Sequence, residues 1–256
     1  MVAIPQTRSI DLKTVAIIQA RMGSSRLPGK VLADVAGTSV LGHTVARARA
    51  IAGVDEVVVA TTVAPGDDAV VAEAARLGVA ATRGSEHDVL ARYVEASRVR
   101  AADVVVRITS DCPLLDPVVS ARVVSALHAR LAAGERVDYA SNTIERRDPR
   151  GLDTEAFTAA ALDRAHHLAR APREREHVTL YLYEHPSAFV LLSVPGDADH
   201  AAERWTVDTD RDLQLVREIY ARLGARPLFG MDDVLALIAR EPWIAAINAD
   251  VEQKRP

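Results

Sequence analysis

Short apolar runs alternate with longer amphipathic segments along the first half of the chain. The runs "VAIIQ" (15–19), "EVVVATT" (56–62), "VAAT" (79–82) and "DVVVRIT" (103–109) are rich in Val and Ile and predict buried strands. Between them, "SVLGHTVARARAI", "DDAVVAEAARLG" and "HDVLARYVEASRVRA" repeat Ala, Val and Leu at helical spacing. This alternation predicts an α/β fold with a mostly parallel sheet and helices on both faces.

The alternation weakens after about residue 135. "RVDYASNT" and "AFVLLSV" predict strands, and "TAAALDRAHHLAR" and "EREHVTLYLYEH" predict helices. Residues 135–200 are therefore expected to form an antiparallel extension of the sheet, a lid or a dimer arm. The later segment "RWTVDTDRDLQLVREIYARLG" predicts a strand, a turn and a helix. With no repeat or clear linker, we expect a single domain over residues 13–256 after a flexible lead-in over residues 1–12.

Composition and charge exclude several classes of protein. The chain has 256 residues, 49% hydrophobic and 26% charged, with a formal net charge of −4. That charge gives no basic field for non-specific nucleic-acid binding. No apolar window is long enough to span a membrane, and the first residues do not resemble a signal peptide. The single cysteine, Cys112, excludes an internal disulfide and favours a cytoplasmic protein.

The loop after the first predicted strand concentrates groups that bind phosphate. In "QARMGSSRLPGKVL" (19–32), two glycines free the backbone to point its N–H groups at an anion, and serines and cations surround them. The residues are Arg21, Gly23, Ser24, Ser25, Arg26, Gly29 and Lys30. The spacing is one residue too long for a Walker A loop and lacks the G-x-G-x-x-G of a dinucleotide fold. The alternative is a solvated basic loop.

Two further positions carry candidate chemistry from their own residues. Asp111 ends the strand in "RITSDCPLLDP", where a carboxylate suits Mg²⁺ bound together with substrate phosphates. Its alternative role is to cap the helix that begins near Pro117, for which Asp116 is better placed. Arg107 lies within the same predicted strand, where a buried cation requires a partner such as a base or a carboxylate.

Several motifs together resemble one family. "IIQARMGSSRLPGKVL" resembles the A-R-x-G-S-x-R-L-P-G-K signature of the cytidylyltransferases that make CMP-activated acidic sugars. "RGSEHDVLARY", "VVRITSDCPLLDP", "GLDTEAF", "REREHVT" and "RWTVDTDRDL" follow in the order found in the branch similar to the spore-coat polysaccharide cytidylyltransferases. The resemblance covers about residues 14 to 223. Ser110, in place of the family's Gly, and Cys112, where octulosonate synthetases have Glu, depart from the pattern.

The resemblance implies a fold and a nucleotide site. The fold would be a three-layer α/β/α nucleotidyltransferase (glycosyltransferase-A-like) fold with a mostly parallel central sheet and a small antiparallel extension. Mg²⁺ would be held by Asp111 and Asp208. CTP would contact Ala20, Arg21, Gly23, Ser24, Ser25, Arg26, Lys30, Arg83, Ser85, Asp88 and Arg107. For Ser85 and Asp88 the alternative is a structural role at the start of a helix, with Ser85 as its cap. Asp210 and Asp212 are expected to be acids of the first turn of the next helix.

The implied reaction transfers CMP from CTP to an acidic sugar, such as a 2-keto-3-deoxy sugar acid, and releases pyrophosphate. Lys30, Arg21, Asp111 and Asp208 would be catalytic, and Asp153, Glu155, Arg175 and His177 would bind the acceptor. A homodimer formed through residues 135–200 is also implied. Alternatives are the same chemistry on a small non-sugar acid such as a phosphonate, and a catalytically silent nucleotide-binding or scaffold relative. A glycosyltransferase is disfavoured because no D-x-D motif lies near Asp111.

Overall fold

The fold is built on a seven-stranded sheet in a computed structural model that describes residues 12–226 and 228–253. The strands are β1 (Thr14–Gln19), β2 (Asp34–Val35), β3 (Thr38–Ser39), β4 (Glu56–Thr62), β5 (Ala80–Gly84), β6 (Val104–Thr109), β7 (Tyr139–Ser141), β8 (Glu155–Thr158) and β9 (Leu191–Ser193). The helices are α1 (Val40–Arg49), α2 (Asp68–Arg76), α3 (Val89–Val99), α4 (Pro117–Ala132), α5 (Ala159–Leu168), α6 (Pro172–Glu176), α7 (Leu180–Glu184), α8 (Asp210–Leu223), α9 (Met231–Arg240) and α10 (Trp243–Ala246).

The strand order is β5-β4-β1-β6-β8-β7-β9. The first four strands in this order are parallel, whereas β8 runs antiparallel to both of its neighbours, β6 and β7. Strands β2 and β3 form a separate antiparallel pair. The predicted mostly parallel sheet is confirmed, and so is its small antiparallel extension.

Alternate residues of the central strands supply the two faces of the sheet. On β1, Ala16 and Ile18 pack in a core with apolar residues of α1, α2 and α4, whereas Val15 and Ile17 pack in another with α3 and α5. Parallel strands covered on both sides need apolar residues at every position, which is why these segments are continuous Val and Ile runs. The three-layer prediction is therefore confirmed.

The structure changes two predictions in the second half of the chain. The single helix predicted for "EREHVTLYLYEH" is two short helices, α6 and α7, interrupted at residues 177–179, where Val178 has a φ of +30°. The strand predicted before Asp208 is wrong, because only one bridge forms there, between Arg150 and Arg204. Of the three alternatives for residues 135–200, β7 to β9 form the antiparallel extension of the sheet.

Two other points concern the ends of the chain and its helices. Residues 1–11 of the predicted lead-in lie outside the described residues, and Leu12 packs against the core. No helix in the described part of the chain is long and apolar enough to cross a membrane.

A buried arginine joins α1 to the C-terminal helices. Arg47 is 3% exposed and donates hydrogen bonds to the carbonyl oxygens of Leu115 (3.1 Å) and Phe229 (2.9 Å) and to the Tyr220 hydroxyl (3.1 Å). Its guanidinium also lies 4.4 Å from the centre of the Phe229 ring. These contacts attach the cluster around α8 and α9 to the central sheet through α1.

Replacing this side chain tests that attachment. Arg47→Ala leaves the carbonyls of Leu115 and Phe229 buried without their donor, so we expect the free energy of unfolding to fall by about 2–4 kcal/mol. Urea denaturation followed by tryptophan fluorescence measures it. Arg49→Ala, on the exposed side of the same helix, removes one hydrogen bond to the Gly78 carbonyl and should cost less than about 1 kcal/mol. Equal losses in the two variants would contradict the attachment.

Candidate functional site

A lysine lies between two carboxylates at the carboxyl ends of β1 and β6. Lys30 Nζ donates to Asp111 Oδ2, to Asp208 Oδ1 and to the Val207 carbonyl oxygen, each at 2.8 Å. Lys30 opens a short 3-10 helix after Gly29, whose φ of +71° is in the left-handed region that favours glycine. The structure thus brings Asp111 and Asp208 to one ammonium group.

Backbone contacts place Asp208 beside Asp111. The Val207 N–H donates to the Asp111 carbonyl at 2.8 Å, and the Thr206 hydroxyl donates to the same oxygen at 3.1 Å. After Asp208, Thr209 caps α8, and the fully buried Asp212 accepts hydrogen bonds from the N–H groups of Asp208 and Thr209. The predicted helix-start role of Asp212 is confirmed, and it also fixes the backbone at Asp208.

Cations surround Asp208. Arg26 lies 3.0 Å and Arg204 2.8 Å from Asp208 Oδ2, in addition to Lys30 on the other oxygen. Burial acts to raise the pKa of Asp208, but the charges and hydrogen bonds of these cations outweigh it and hold the pKa below the ordinary value. Burial likewise acts to lower the pKa of Lys30, and the two carboxylates raise it above the ordinary value. Both groups are therefore charged at neutral pH.

Several other residues of the basic loop are exposed, and the loop begins beside β4. Arg21, Gly23 and Ser25 are exposed, and the Arg21 guanidinium makes a 3.4 Å contact with Glu86. The Ser24 hydroxyl accepts from the Leu27 N–H at 3.4 Å. Ala20 is buried and donates its N–H to the Ala60 carbonyl at 3.1 Å. The exposed groups leave this side of the loop open to a ligand.

The residues at the end of β5 and before α3 that were predicted to contact CTP make mostly contacts within the protein. Arg83 donates to Asp68 and to the carbonyls of Thr62 and Ala64. Ser85 accepts from the N–H groups of His87 and Asp88 in the turn before α3. The cap of α3 is Asp88, which accepts from the Ala91 N–H at 2.9 Å, so the assignment of the cap to Ser85 is wrong.

Asp88 also explains the position of Arg175. The guanidinium of Arg175 forms an ion pair with the Asp88 carboxylate and donates to the His166 carbonyl at 2.9 Å. These contacts tie α6 to the start of α3. Arg175 does not line the cavity in which the other predicted acceptor residues lie.

A buried arginine beside these residues was not predicted from the sequence. Arg92 of α3 is 4% exposed, and its Nε and one terminal nitrogen have no hydrogen-bond partner in the described part of the chain. Its side chain passes so close to Gly84 that a Cβ there would lie 2.8 Å from Arg92 Cγ. Burial and the charge of Arg21 lower its pKa. Arg92 lies four residues after Asp88 on a largely apolar helix face, so the sequence did not indicate that its side chain belongs to the site.

A cavity of about 900 Å³ opens beside the lysine cluster. Its lining includes Arg26, Arg107, Asp111, Asp153, Glu155, His177 and Asp208 from the predicted site. The wall is completed by residues that the sequence did not indicate: Thr109, Tyr139, Thr143, Ile144, Arg146, Arg150, Tyr183 and Thr206 among them. The structure therefore joins the predicted metal residues and three of the four predicted acceptor residues in one space.

A buried ion pair lies in this cavity wall. Arg107 of β6 and Glu155 of β8 are register partners in the antiparallel pair and form an ion pair there. The Glu155 carboxylate also accepts from the hydroxyls of Tyr139 and Thr179, each at 2.6 Å. Burial opposes ionisation of Glu155, but Arg107 and the two hydroxyls hold its pKa below the ordinary value. The partner that Arg107 requires is thus a protein carboxylate.

Asp153 and His177 present different chemistry to the cavity. Both oxygens of Asp153 accept from Arg146, at 2.6 and 2.7 Å. His177 follows α6, next to Val178, and burial lowers the pKa of its imidazole. His177 is therefore mainly neutral at pH 7, so it offers a hydrogen bond rather than a charge.

The donor set at Asp111 and Asp208 fits Mg²⁺. The ion prefers oxygen ligands and is commonly held by one or two carboxylates together with substrate phosphates. Within residues 12–226 and 228–253 no third His, Cys, Asp or Glu completes a metal cage, which is consistent with that mode. Burial raises the pKa of the neighbouring Cys112 thiol, so it stays protonated as a small buried side chain rather than a ligand.

Comparison with known proteins identifies the family of the chain. The sequence profile of a family described as cytidylyltransferase matches residues 15–228. The spore coat polysaccharide biosynthesis protein SpsF of Bacillus subtilis is 33% identical over 88% of this chain and 94% of its own length. A 3-deoxy-manno-octulosonate cytidylyltransferase of an Anaeromyxobacter species is 41% identical over 90% of this chain and 98% of its own length.

Solved structures show the same similarity. A cytidylyltransferase from Leptospira borgpetersenii superposes with a TM-score of 0.86 at 31% identity, over 96% of this chain and all of that one. A CMP:2-keto-3-deoxy-manno-octonic acid synthetase complexed with CTP has a TM-score of 0.65 at 24% identity, over 82% of this chain and 99% of that one, and shares the fold. The profile match and these relatives establish that the chain belongs to the cytidylyltransferase family and is a nucleotidyltransferase.

Proposed function

We propose that this enzyme transfers CMP from CTP to an acidic sugar, such as a 2-keto-3-deoxy sugar acid, in a Mg²⁺-dependent reaction that releases pyrophosphate. The observation that carries the proposal is the Lys30 ammonium held by Asp111 and Asp208 at the edge of the cavity. The relative named 3-deoxy-manno-octulosonate cytidylyltransferase supports an acidic sugar as the acceptor class, and the relative named for spore coat polysaccharide biosynthesis supports a role in making polysaccharide.

The nucleotide side of the site uses the basic loop. Arg21, Arg26 and Lys30, with the backbone of the exposed Gly23, bind the β- and γ-phosphates. Arg26 and Lys30 are already oriented by Asp208, so few side-chain rotations have to be frozen when CTP binds. The same cations stabilise the charge that develops on the departing pyrophosphate.

Asp111 and Asp208 are the residues that hold Mg²⁺. The ion supplies Lewis-acid polarisation of the phosphate oxygens when it is bound. Lys30 now donates to both carboxylates, and its flexible side chain can exchange one of these oxygens for a phosphate oxygen without losing charge compensation. This exchange keeps the two carboxylates neutralised both before and after the substrate enters.

The acceptor side uses the cavity wall formed by residues from β7 to α7. An acceptor hydroxyl oxygen attacks the α-phosphorus, the bond from that phosphorus to the bridging oxygen of pyrophosphate breaks, and the hydroxyl proton is released. The neutral imidazole of His177 and the Asp153 carboxylate contribute hydrogen bonds to acceptor hydroxyls. Glu155 acts through Arg107 by fixing its guanidinium at the cavity surface.

Two further features belong to the proposal. The family resemblance implies a homodimer through residues 135–200, and the single cysteine favours a cytoplasmic location. Both are tested by measurements on the whole protein, namely light scattering and cell fractionation.

Removing the central charges should abolish most of the activity. We expect Lys30→Met and Asp208→Asn each to lower kcat for pyrophosphate release by about 10²–10³-fold, because a preorganised charge contact to the transition state is lost. Asp208→Asn should also raise the Mg²⁺ concentration required for half-maximal rate. A coupled pyrophosphate assay with CTP, Mg²⁺ and 3-deoxy-manno-octulosonate measures both effects.

Lys13→Met is the matched control for the lysine variant. Lys13 is half-exposed and pairs with Glu56 at the opposite end of β1, so its loss should leave the rate unchanged. Full activity in Lys30→Met would refute the proposed chemistry.

Nucleotide recognition gives a second test. In a thermal-shift panel of the four ribonucleoside triphosphates with Mg²⁺, CTP should stabilise the enzyme selectively, because a ligand stabilises the state to which it binds. Equal stabilisation by all four nucleotides would contradict the preference for CTP.

Arg92 gives a separate test. Arg92→Met should weaken CTP binding by about tenfold or more, because its Nε and one terminal nitrogen, which lack a partner among the described residues, would complete their hydrogen bonds on the nucleotide. The matched control Arg98→Met, an exposed position on the same helix, should bind CTP as the wild type does. Equal CTP affinity in Arg92→Met and wild type would contradict this role.

A further inference from the structure

Among the described residues, Arg150 is a cavity-wall arginine without a carboxylate partner. Arg26 pairs with Asp208, Arg107 with Glu155, and Arg146 with both oxygens of Asp153. Arg150 lines the same cavity, yet no residue in the described part of the chain forms a side-chain hydrogen bond or an ion pair with it. The wall therefore carries a positive charge that no residue among 12–226 and 228–253 pairs with.

The backbone at this position is fixed. The Arg150 N–H donates to the Glu203 carbonyl at 3.0 Å, and the Arg150 carbonyl accepts from the Trp205 N–H at 2.7 Å. Gly151 has a φ of +104°, and a Cβ there would lie 2.7 Å from the Trp205 carbonyl carbon. Because Trp205 is fully buried, the backbone from which the Arg150 side chain extends is held against the core. The guanidinium itself is left available to a ligand.

The surroundings of Arg150 make an unpaired charge at this position unfavourable. Burial and then the like charge of Arg146 lower its pKa, Asp153 opposes them, and Arg204 lowers the pKa further. Both oxygens of the Asp153 carboxylate accept hydrogen bonds from Arg146 rather than from Arg150. An anion from outside the protein would relieve this repulsion and accept charge-assisted hydrogen bonds from the guanidinium.

The position of Arg150 distinguishes between two anions. The cations that suit a triphosphate lie on the loop after β1, whereas Arg150 lies in the turn between β7 and β8, just before Asp153 and Glu155. On this basis, and resting on the proposed function, we propose that Arg150 binds the carboxylate of the acidic acceptor and thereby selects acids over neutral sugars. This assigns to Arg150 the charge contact that the sequence had suggested for Arg175, which instead pairs with Asp88.

The test compares an acid with its uncharged ester. Calorimetry measures binding of 3-deoxy-manno-octulosonate and of its methyl ester to protein saturated with Mg²⁺ and α,β-methylene-CTP. Wild type should bind the acid about tenfold to a hundredfold more tightly than the ester, as expected for one charge-assisted contact. In Arg150→Gln this preference should disappear, and Arg150→Lys should restore part of it.

Arg147→Gln is the matched control. Arg147 is an exposed arginine of the same turn, pairs with Glu145 and does not line the cavity, so it should keep the full preference for the acid. A merely structural role of Arg150 would weaken acid and ester equally and would leave the preference intact. That result overturns the proposal, as does a loss confined to CTP affinity.

The same titrations separate this proposal from the proposed function. A wild type that binds the CTP analogue but shows no preference for the acid overturns the role of Arg150 alone. A wild type that does not bind the CTP analogue at all overturns the proposed function on which it rests.

Discussion

The ammonium of Lys30 is the contact on which the site depends. Asp111 and Asp208 come from distant parts of the chain and are both partly buried, and two neighbouring carboxylates without a cation would repel and favour a protonated form. The shared ammonium removes that cost and fixes the separation between them. The backbone bond from Val207 to Asp111 then makes the arrangement part of the fold rather than a choice of side-chain rotamers.

Charge compensation is nearly complete before any substrate binds. Most cations around the cavity have a carboxylate partner, and most carboxylates have a cation or hydroxyl partner. A charged substrate that binds here would exchange partners within a charged network instead of neutralising an isolated charge. An arrangement of this kind keeps the reorganisation of the site small, which favours transition-state stabilisation.

The sequence was sufficient to predict the central sheet but not the contacts that its charged side chains make near the cavity. Continuous Val and Ile runs at 15–19 and 103–109 predicted buried strands because nothing else explains apolar residues at every position. The pairing of Arg107 with Glu155 depends on the register of β6 against β8, and Arg92 lies on a face that reads as core. Such contacts arise between residues far apart in the chain, so local pattern does not reveal them. The strand predicted before Asp208 was wrong because its Trp205 and Val207 pack in the cluster around α8 and α9, and the segment forms a single bridge to the described chain, between Arg150 and Arg204.

The direction of β8 has a consequence for the shape of the cavity. Because β8 runs against β6, the connection that leads into β8 opens at the edge of the sheet where Asp111 lies, and its residues 142–154 form much of the cavity wall. This connection lies outside the strands β1, β4 and β6 that support the basic loop. A replacement in the connection can therefore reshape the cavity without altering those strands.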